Sequence, residues 1–332
     1  MATGRPSIRD VAREAGVSTA LASFALNDRE GVAAQTKARI VQVAAELGYR
    51  PDPTARALRT GLTGSYGLMV RNMQNPYFLE VLRGAQDAAS EHGSSVFAVD
   101  SAYSTDRERE HVHHLAQQRV DGLAIAPVGS GDAIDLWQEL SPGKPTVVVN
   151  AVAEHAGITR VGPDNVAAVD LAVEHLHALG HRRITFYSAP SGVMADHDRL
   201  ERFVQRCAEL DVVADPVETA LNLDAAYQVT AELLDGPEPP QAIVTNSDFT
   251  AHAIYHAARD RGVQIGRELS VVGHDDLATS RLLDPPMTTL VLDRFELGRA
   301  IGQRLRPHAD LGDHVQPVSL VVRGSTAPPD RH

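Results

Sequence analysis

The sequence contains almost no cysteine and no long apolar run. Cys207 is the single cysteine among 332 residues, so no internal disulfide and no thiolate zinc site can form, which indicates the reducing cytoplasm. No apolar run approaches the roughly 18 residues of a membrane span, and the N-terminal segment lacks the apolar stretch of a signal peptide. The motifs G-x-S-x-G, G-x-G-x-x-G, H-E-x-x-H and the P-loop are also missing. We therefore expect no membrane partner, no enzymatic activity, no cofactor and no metal.

Positive charge is scarce overall but concentrated at one end of the chain. The net charge is −12, which taken alone argues against a nucleic-acid partner. Residues 1–61 nevertheless carry nine basic and six acidic side chains, a net of +3, whereas the other 271 residues carry a net of −15. A cationic head on an anionic body is expected when only the head meets phosphate groups.

Residues 1–48 have the apolar spacing of three short helices. Ser7 with Asp10 forms a candidate N-cap pair for the first helix, and Gly16-Val17 interrupts the apolar pattern before a second helix begins near Ser18. The third helix is predicted from about Ala33 to Leu47, before Gly48. A tight corner between the first two helices predicts a helix-turn-helix, although a three-helix bundle used only for packing gives the same pattern.

An ordered set of motifs runs from the head through the body of the chain. The head motifs are Ser7-Ile-Arg-Asp-Val-Ala-Arg-Glu-Ala-Gly-Val-Ser18, Leu26-Asn27, Glu46-Leu-Gly-Tyr-Arg-Pro51 and Ala55-Arg-Ala-Leu-Arg-Thr-Gly61. The body motifs are Asn75-Pro-Tyr-Phe78, Gly162-Pro-Asp-Asn165, Leu179-Gly-His-Arg-Arg-Ile184, Leu269-Ser-Val-Val-Gly-His-Asp-Asp276 and Val322-Arg-Gly-Ser-Thr326. This set resembles the LacI/GalR family of bacterial transcriptional regulators. The resemblance covers nearly the whole chain, and the order of the motifs makes it specific.

The resemblance implies a DNA-reading surface at the start of the second helix. Base edges would be read by Ser18, Thr19, Ala20, Ser23 and Phe24, and phosphates would be contacted by Ser7, Arg9 and Asn27. Phe24 is a departure, because the family usually has a polar reader such as arginine there, and a phenyl ring can only touch a thymine methyl group or pack inward. Val17, Leu21 and Phe24 share one helical stripe, so both orientations remain open.

Residues 49–62 are predicted to be a hinge. The segment has two prolines near its start and Gly61 at its end, and a helix this short is marginal alone in water. The resemblance implies a hinge helix in which Leu58 wedges into the minor groove while Arg56 and Arg59 contact the DNA. A flexible linker with an incidental leucine is the alternative reading of the same residues.

Residues 63–332 alternate short apolar runs with helical patterns, which predicts βαβ units and parallel sheets. The predicted strands are 66–70, 95–99, 122–126, 146–149, 158–161, 183–187, 242–245 and 270–272, with 289–292 and 315–322 returning across. The predicted fold is thus an all-α helix-turn-helix head plus an α/β periplasmic-binding-protein-like body of two parallel-sheet lobes. The ligand of such a body lies between the lobes, at the carboxyl ends of strands.

The polar residues that follow the predicted strands are the candidate effector ligands. They are Asn75, Asp100, Asn150, Asp164, Tyr187, Arg199, Ser247, Asp248 and Asp275. Three of them, Asp164, Arg199 and Asp275, match effector contacts of the family. Two carboxylates and one guanidinium suit a neutral polyhydroxyl compound, a sugar or a nucleoside. The alternative for Asp164 and Asp248 is that each only caps the helix that follows it.

These observations predict a cytoplasmic homodimeric transcriptional regulator, usually a repressor, whose heads bind double-stranded operator DNA with a pseudo-palindromic sequence. A small sugar-like effector in the cleft would control operator affinity. The alternative is a sugar-binding or sugar-modifying α/β protein whose N-terminal helical bundle is incidental. Retention of specific DNA by a dimeric form of residues 1–62 separates the two.

Overall fold

The computed structural model describes residues 6–26, 31–50, 60–150, 158–190, 197–309 and 311–329. The chain divides into two compact units, Met1–Thr63 and Gly64–His332. Within the described residues no helix is both long and apolar enough to cross a membrane.

In the described part of the first unit, three helices surround a small core. They are α1 (Ile8–Glu14), α2 (Thr19–Leu26) and α3 (Ala34–Glu46). Val11, Ala12, Ala22, Ile40 and Ala44 are buried where the helices meet. Helix α2 begins one residue after Ser18, and α3 lies within one residue of its predicted ends, so these helices form the three-helix head that the sequence predicts.

A glycine ends α1 and forms the corner to α2. Gly16 has φ +63°, its N–H donates to the Arg13 carbonyl, and the Val17 N–H donates to the Ala12 carbonyl. This pair of bonds is the Schellman motif, which needs a left-handed residue at the position of Gly16. Arg39 of α3 also donates to the Ala15 carbonyl, so the third helix fixes the corner.

The second unit is built on two six-stranded sheets. Their strands are β1 (Ser65–Val70), β2 (Ser95–Asp100), β3 (Gly122–Ile125), β4 (Thr146–Val149), β5 (Thr159–Pro163), β6 (Arg183–Ser188), β7 (Val213–Glu218), β8 (Ala242–Val244), β9 (Ser270–His274), β10 (Thr288–Val291), β11 (His314–Gln316) and β12 (Ser319–Val321). The first sheet has the order β11-β5-β4-β3-β1-β2, and the second has the order β12-β10-β9-β8-β6-β7. Every pairing among the described strands is parallel except that of β10 with β12.

Helices cover both faces of each sheet, which gives two α/β lobes. The helices are α4 (Tyr77–Ser90), α5 (Thr105–Gln117), α6 (Asp132–Leu140), α7 (Asn165–Leu179), α8 (His197–Glu209), α9 (Leu223–Asp235), α10 (Asp248–Asp260) and α11 (Arg294–Arg304). In the first lobe α4 and α11 pack on one face and α5 and α6 on the other. In the second lobe α7 and α8 pack on one face and α9 and α10 on the other. The predicted two-lobed body is confirmed.

The chain passes between the lobes three times. It leaves the first sheet after β5 at Asp164, returns after β10 at Leu292, and crosses again between β11 and β12 at Pro317. The Asp164 N–H donates to the Gln316 carbonyl at 2.9 Å, which joins the first and third crossings. The carboxyl ends of strands from both lobes therefore meet at one place.

Two strand predictions differ from the structure. Strand β7 was not predicted because Asp215 and Pro216 lie inside it, and the chain tolerates them since β7 is the edge of its sheet. The predicted single strand 315–322 is two strands in different sheets, because Pro317 interrupts the ladder at the third crossing.

Helices α4 and α11 pack backbone against backbone. A Cβ atom on Gly84 would overlap the Phe295 carbonyl oxygen, and one on Gly298 would overlap the Val81 carbonyl oxygen. Arg299 of α11 also pairs with Asp87 and Glu91 of α4. The return of the chain to the first lobe therefore depends on glycine at these helix positions.

Gly84→Ala should destabilise the second unit by about 1–3 kcal/mol or more, because neither backbone can move away without opening the α4–α11 contact. Gly236→Ala is the control, since a Cβ at Gly236 would lie 3.3 Å from the Leu233 oxygen and its φ of −73° suits alanine. Urea unfolding followed by circular dichroism checks both. Equal midpoints for Gly84→Ala and the parent would contradict the close contact.

Candidate functional site

A cavity lies between the two lobes, where the carboxyl ends of the strands meet. The first lobe contributes residues that follow β1, β2, β4 and β5, and the second lobe contributes residues that follow β8 and β9 and the first turns of α7, α8 and α10. Phe78 and Phe249 supply apolar surface from opposite lobes. The cavity therefore combines aromatic faces with a small set of polar groups, as small-molecule sites do.

The wall from the first lobe is organised by Tyr77 and Arg71. The Asn150 Nδ2 donates to the Tyr77 hydroxyl at 2.8 Å. Buried Arg71 donates to the carbonyls of Pro127 and Asn150, each at 3.0 Å, and so ties the ends of β3 and β4 together. Burial raises the pKa of Tyr77 far above its ordinary value, and the Asp275 carboxylate adds to the rise while Arg71 opposes it. Both burial and the Asp275 carboxylate of the opposite lobe therefore disfavour ionisation of the Tyr77 hydroxyl.

The wall from the second lobe is organised by the end of β9. His274 and Asp275 are both buried, and the His274 Nδ1 lies 3.0 Å from the Asp275 Oδ1. Asp275 has φ +115° and Asp276 has φ +49°, values that cost energy in residues other than glycine. The Asp276 carboxylate holds this backbone through Arg323 at 2.6 Å and Arg281 at 2.9 Å. The Asp275 side chain is therefore presented to the cavity by a strained and braced turn.

The first turns of α8 and α10 complete that wall. The Arg199 Nη1 donates to the Asn246 carbonyl at 3.2 Å, and the Asp198 carboxylate accepts from the Arg199 N–H and from the Asn165 Nδ2, each at 2.9 Å. The Ser247 hydroxyl oxygen accepts the Thr250 N–H at 3.3 Å and so caps α10. Each of these side chains is therefore held in place by a hydrogen bond to a neighbouring residue.

Five of the nine predicted effector ligands line the cavity. They are Asn75, Asn150, Arg199, Ser247 and Asp275. The other four, Asp100, Asp164, Tyr187 and Asp248, do not line it.

Asp100 and Asp164 serve the local backbone instead. The Asp100 carboxylate accepts the N–H groups of Met73 at 3.1 Å and Ala102 at 2.8 Å. The Asp164 carboxylate caps α7 by accepting the Ala167 N–H at 2.9 Å. Asp164 thus has the role of a helix cap, the alternative given for it above, because the chain begins α7 directly after it leaves the first lobe.

Tyr187 and Asp248 are buried within the second lobe. The Tyr187 hydroxyl lies 2.9 Å from the Thr230 Oγ1, on the sheet face that packs against α9 and α10. Asp248 accepts from the Leu277 N–H and from the hydroxyls of Ser280 and Thr289. Burial raises the pKa of Asp248 to about 7. Alternate residues of a strand face opposite sides of the sheet. A position near the end of a strand therefore does not by itself show whether a side chain faces the cavity or the interior of the lobe.

Arg71, Asn165 and His274 line the cavity and were not predicted. Each lies at the end of a strand or the start of a helix that the sequence did predict. Asn165 and His274 are direct neighbours of the predicted Asp164 and Asp275. The signal was therefore present, but the one-residue precision that separates neighbours was not.

In the first unit the predicted base-reading residues lie together on α2 and just before it. Ser18, Thr19 and Ala20 are exposed, and the Ser18 Oγ accepts the Leu21 N–H at 3.1 Å. Phe24 is 42% exposed and lies outside the core of the unit, whose α2 residues are Ala22 and Ala25 with Leu26 packed against them. Ser23 is half-buried, and Arg9 is exposed on α1. The Ser7 hydroxyl donates to the Asp10 carboxylate at 2.6 Å.

Four predicted DNA contacts lie outside the described residues. They are Asn27, Arg56, Leu58 and Arg59.

Comparisons with known proteins match both units. Residues 7–52 match the model of bacterial regulatory proteins of the lacI family, and residues 173–326 match that of a periplasmic binding protein-like domain. The HTH-type transcriptional repressor CytR of Escherichia coli K12 is 30% identical over 329 residues, 96% of each chain.

Solved structures with the same fold include a lac repressor dimer bound to operator and the anti-inducer ONPF. It has a TM-score of 0.84 and 26% identity, and covers 98% of this chain and 100% of its own. A LacI family transcriptional regulator from Enterococcus faecium with bound ribose has a TM-score of 0.70 and 25% identity, and covers 80% of this chain and 99% of its own.

Glu108→Gln tests a buried carboxyl group behind the Arg71 wall. The Glu108 Oε1 accepts the Val128 N–H at 2.8 Å, and burial raises the pKa of Glu108 from 4.5 to about 7. An unfolded chain ionises this group near pH 4.5, so the parent loses stability as pH rises from about 4.5 through 7. Glutamine keeps the acceptor and cannot ionise.

The variant should therefore gain on the parent as pH rises from 5 to 8, by up to about 3 kcal/mol. Urea midpoints at the two pH values measure this difference. Glu110→Gln, exposed on the same helix, is the control and should show no such gain. A difference independent of pH for Glu108→Gln would mean that the carboxyl group is ionised throughout.

Proposed function

Since the chain belongs to the LacI family of bacterial regulatory proteins, we propose that it is a transcriptional repressor whose operator affinity is set by a small polyhydroxyl molecule bound between its lobes. The observation that carries this proposal is a cavity lined from both lobes in a chain that also presents an exposed helix-turn-helix surface. The regulatory class excludes the alternative of a sugar-modifying enzyme with an incidental head.

The proposed organisation has three parts. Residues 1–48 form the DNA-binding domain, residues 49–62 form the hinge, and residues 63–332 form the effector-binding and dimerisation domain. Two heads of a homodimer would read the two halves of a pseudo-palindromic operator. A DNA partner also supports a cytoplasmic location.

The ligand chemistry is argued from the cavity charges, which differ from the sequence expectation. Two carboxylates and one guanidinium were expected, but Asp164 caps a helix and Arg71 joins the lining, so the described lining has one carboxylate and two guanidinium groups. Repulsion by paired carboxylates therefore no longer argues for a neutral ligand. What supports a polyhydroxyl ligand is the mixture of donors and acceptors beside aromatic faces, together with a relative that binds ribose.

The first experiment identifies the operator. Genomic fragments retained by the full chain are sequenced for a shared palindrome, and retention is repeated with D-ribose and D-ribose 5-phosphate. Release by one of these sugars supports the proposal and distinguishes a neutral from an anionic effector. Retention of fragments without any shared sequence would contradict specific operator binding.

Asp275→Ala and Arg199→Ala should each weaken the effector response by more than tenfold, since each removes a charged group of the cavity wall. Operator affinity without effector should stay near parental, because neither residue lies in the head. Fluorescence anisotropy of labelled operator, titrated with the active sugar, measures both. Asp164→Ser keeps the helix cap and is the control, which should respond as the parent does. A parental response from Asp275→Ala would exclude this cavity.

Leu58→Ala should leave the fold intact and weaken operator binding, because a kinked base step loses the apolar side chain that compensates for unstacking, worth a few kcal/mol per step. Leu62→Ala, at an exposed leucine that is the last residue of the predicted hinge, is the matched control. Operator affinity and the bend angle of the bound DNA are measured for each. Equal values for Leu58→Ala and the parent would exclude the wedge.

A further inference from the structure

Among the cavity-lining residues that the structure describes, two have a polar side-chain atom that is buried without a hydrogen-bond partner. These atoms are the Nε2 of His274 and the Oδ1 of Asn165, and both residues belong to the second-lobe wall. Buried polar groups are paired in the great majority of cases, because an unpaired one loses its bond to water without replacement. Two such atoms in one cavity wall need an explanation.

Both atoms are acceptors for the same reason. A carboxylate can only accept, so the Asp275 Oδ1, 3.0 Å from the His274 Nδ1, requires a hydrogen on Nδ1, and a ring with a single hydrogen then has none on Nε2. The Asp198 Oδ2 likewise accepts from the Asn165 Nδ2 at 2.9 Å, which leaves Oδ1 as the unpaired atom. In each residue a neighbouring carboxylate accepts a hydrogen bond from the donor atom, and the acceptor atom remains unpaired.

We infer that His274 is a specificity-determining residue whose Nε2, together with the Asn165 Oδ1, accepts hydrogen bonds from hydroxyl groups of the effector. This inference rests on the proposed function and specifies it: the effector must present donors toward the second lobe. A molecule that offers only acceptors there, such as a carboxylate or a phosphate, leaves both atoms unpaired. A site built in this way rejects an analogue that lacks the donor far more strongly than a merely apolar pocket does.

The first measurement needs no ligand. In the full chain labelled with ¹⁵N-histidine, His274 should carry its hydrogen on Nδ1 and show the nitrogen shift of an unprotonated Nε2 at neutral pH. The resonance is assigned by its loss in His274→Gln. A hydrogen on Nε2 would overturn the inference, because that atom would then be a donor.

The second measurement separates ligand contact from support of Asp275. Glutamine places an amide group near the position of Nε2, whereas asparagine reaches only the position of Nδ1. Calorimetry with D-ribose should show at least tenfold weaker binding for His274→Asn and binding within about threefold of the parent for His274→Gln. The reverse order would mean that His274 only orients Asp275.

His252→Asn is the matched control. The Nε2 of His252 is also buried without a partner, but this residue does not line the cavity, so D-ribose binding should be unchanged. A loss equal to that of His274→Asn would show that any buried histidine has this effect, and would overturn the inference.

The ligand itself supplies the last comparison. Among the monodeoxy derivatives of D-ribose, at least one should bind the parent tenfold or more weakly than D-ribose, and His274→Asn should no longer distinguish that derivative from D-ribose. Discrimination that persists in the variant would overturn the assignment. If the parent binds no D-ribose at all, D-ribose is excluded as the effector, and the tautomer measurement still decides whether Nε2 is an acceptor.

Discussion

The three passages of the chain between the two lobes are the constraint on which the cavity depends. Because the chain enters the other lobe after each of the strands β5, β10 and β11, strand ends from both sheets meet along one cleft. The same passages place Asp164 at a helix start and Pro317 between two sheets. A single passage would allow the lobes to hinge freely, whereas three passages restrict them to motions that keep the same residues facing each other.

The lobes are also joined by apolar contacts, which set a cost for opening. Phe249 and Leu277 belong to the second lobe, yet both pack against the core of the first lobe, beside Tyr77 and Phe78. Burial of aromatic surface favours this contact between the lobes. A polar ligand would add its own contacts to both lobes without replacing the apolar one. The buried Asp248 carboxyl, which accepts from the Leu277 N–H, fixes one side of this contact. The bound ligand and the apolar residues would therefore both stabilise the contact between the two lobes.

The fold could be predicted from the sequence further than the site could. Apolar periodicity and turn residues located the three head helices and most strands of the body. Burial of one face imposes a regular spacing of apolar residues, which is recognisable over a whole element even where a single residue departs from it. Val213–Glu218 escaped since an edge strand accepts proline and aspartate. The motif order supplied the two-lobed arrangement, which no local pattern contains.

The site needed three-dimensional information because its chemistry depends on which way neighbouring side chains face. Asp275 lines the cavity and Asp276 binds Arg323 and Arg281, although the two residues are adjacent and chemically identical. Asp164 and Asn165 divide in the same way, into a helix cap and a cavity residue. The expectation of a neutral ligand depended on this division, since moving one carboxylate out and one guanidinium in reverses the sign of the net charge of the described lining. Hydrogen-bond capacity is the firmer guide to the ligand, because the unpaired acceptors of His274 and Asn165 are fixed by carboxylates that stay in place whatever the cavity's net charge.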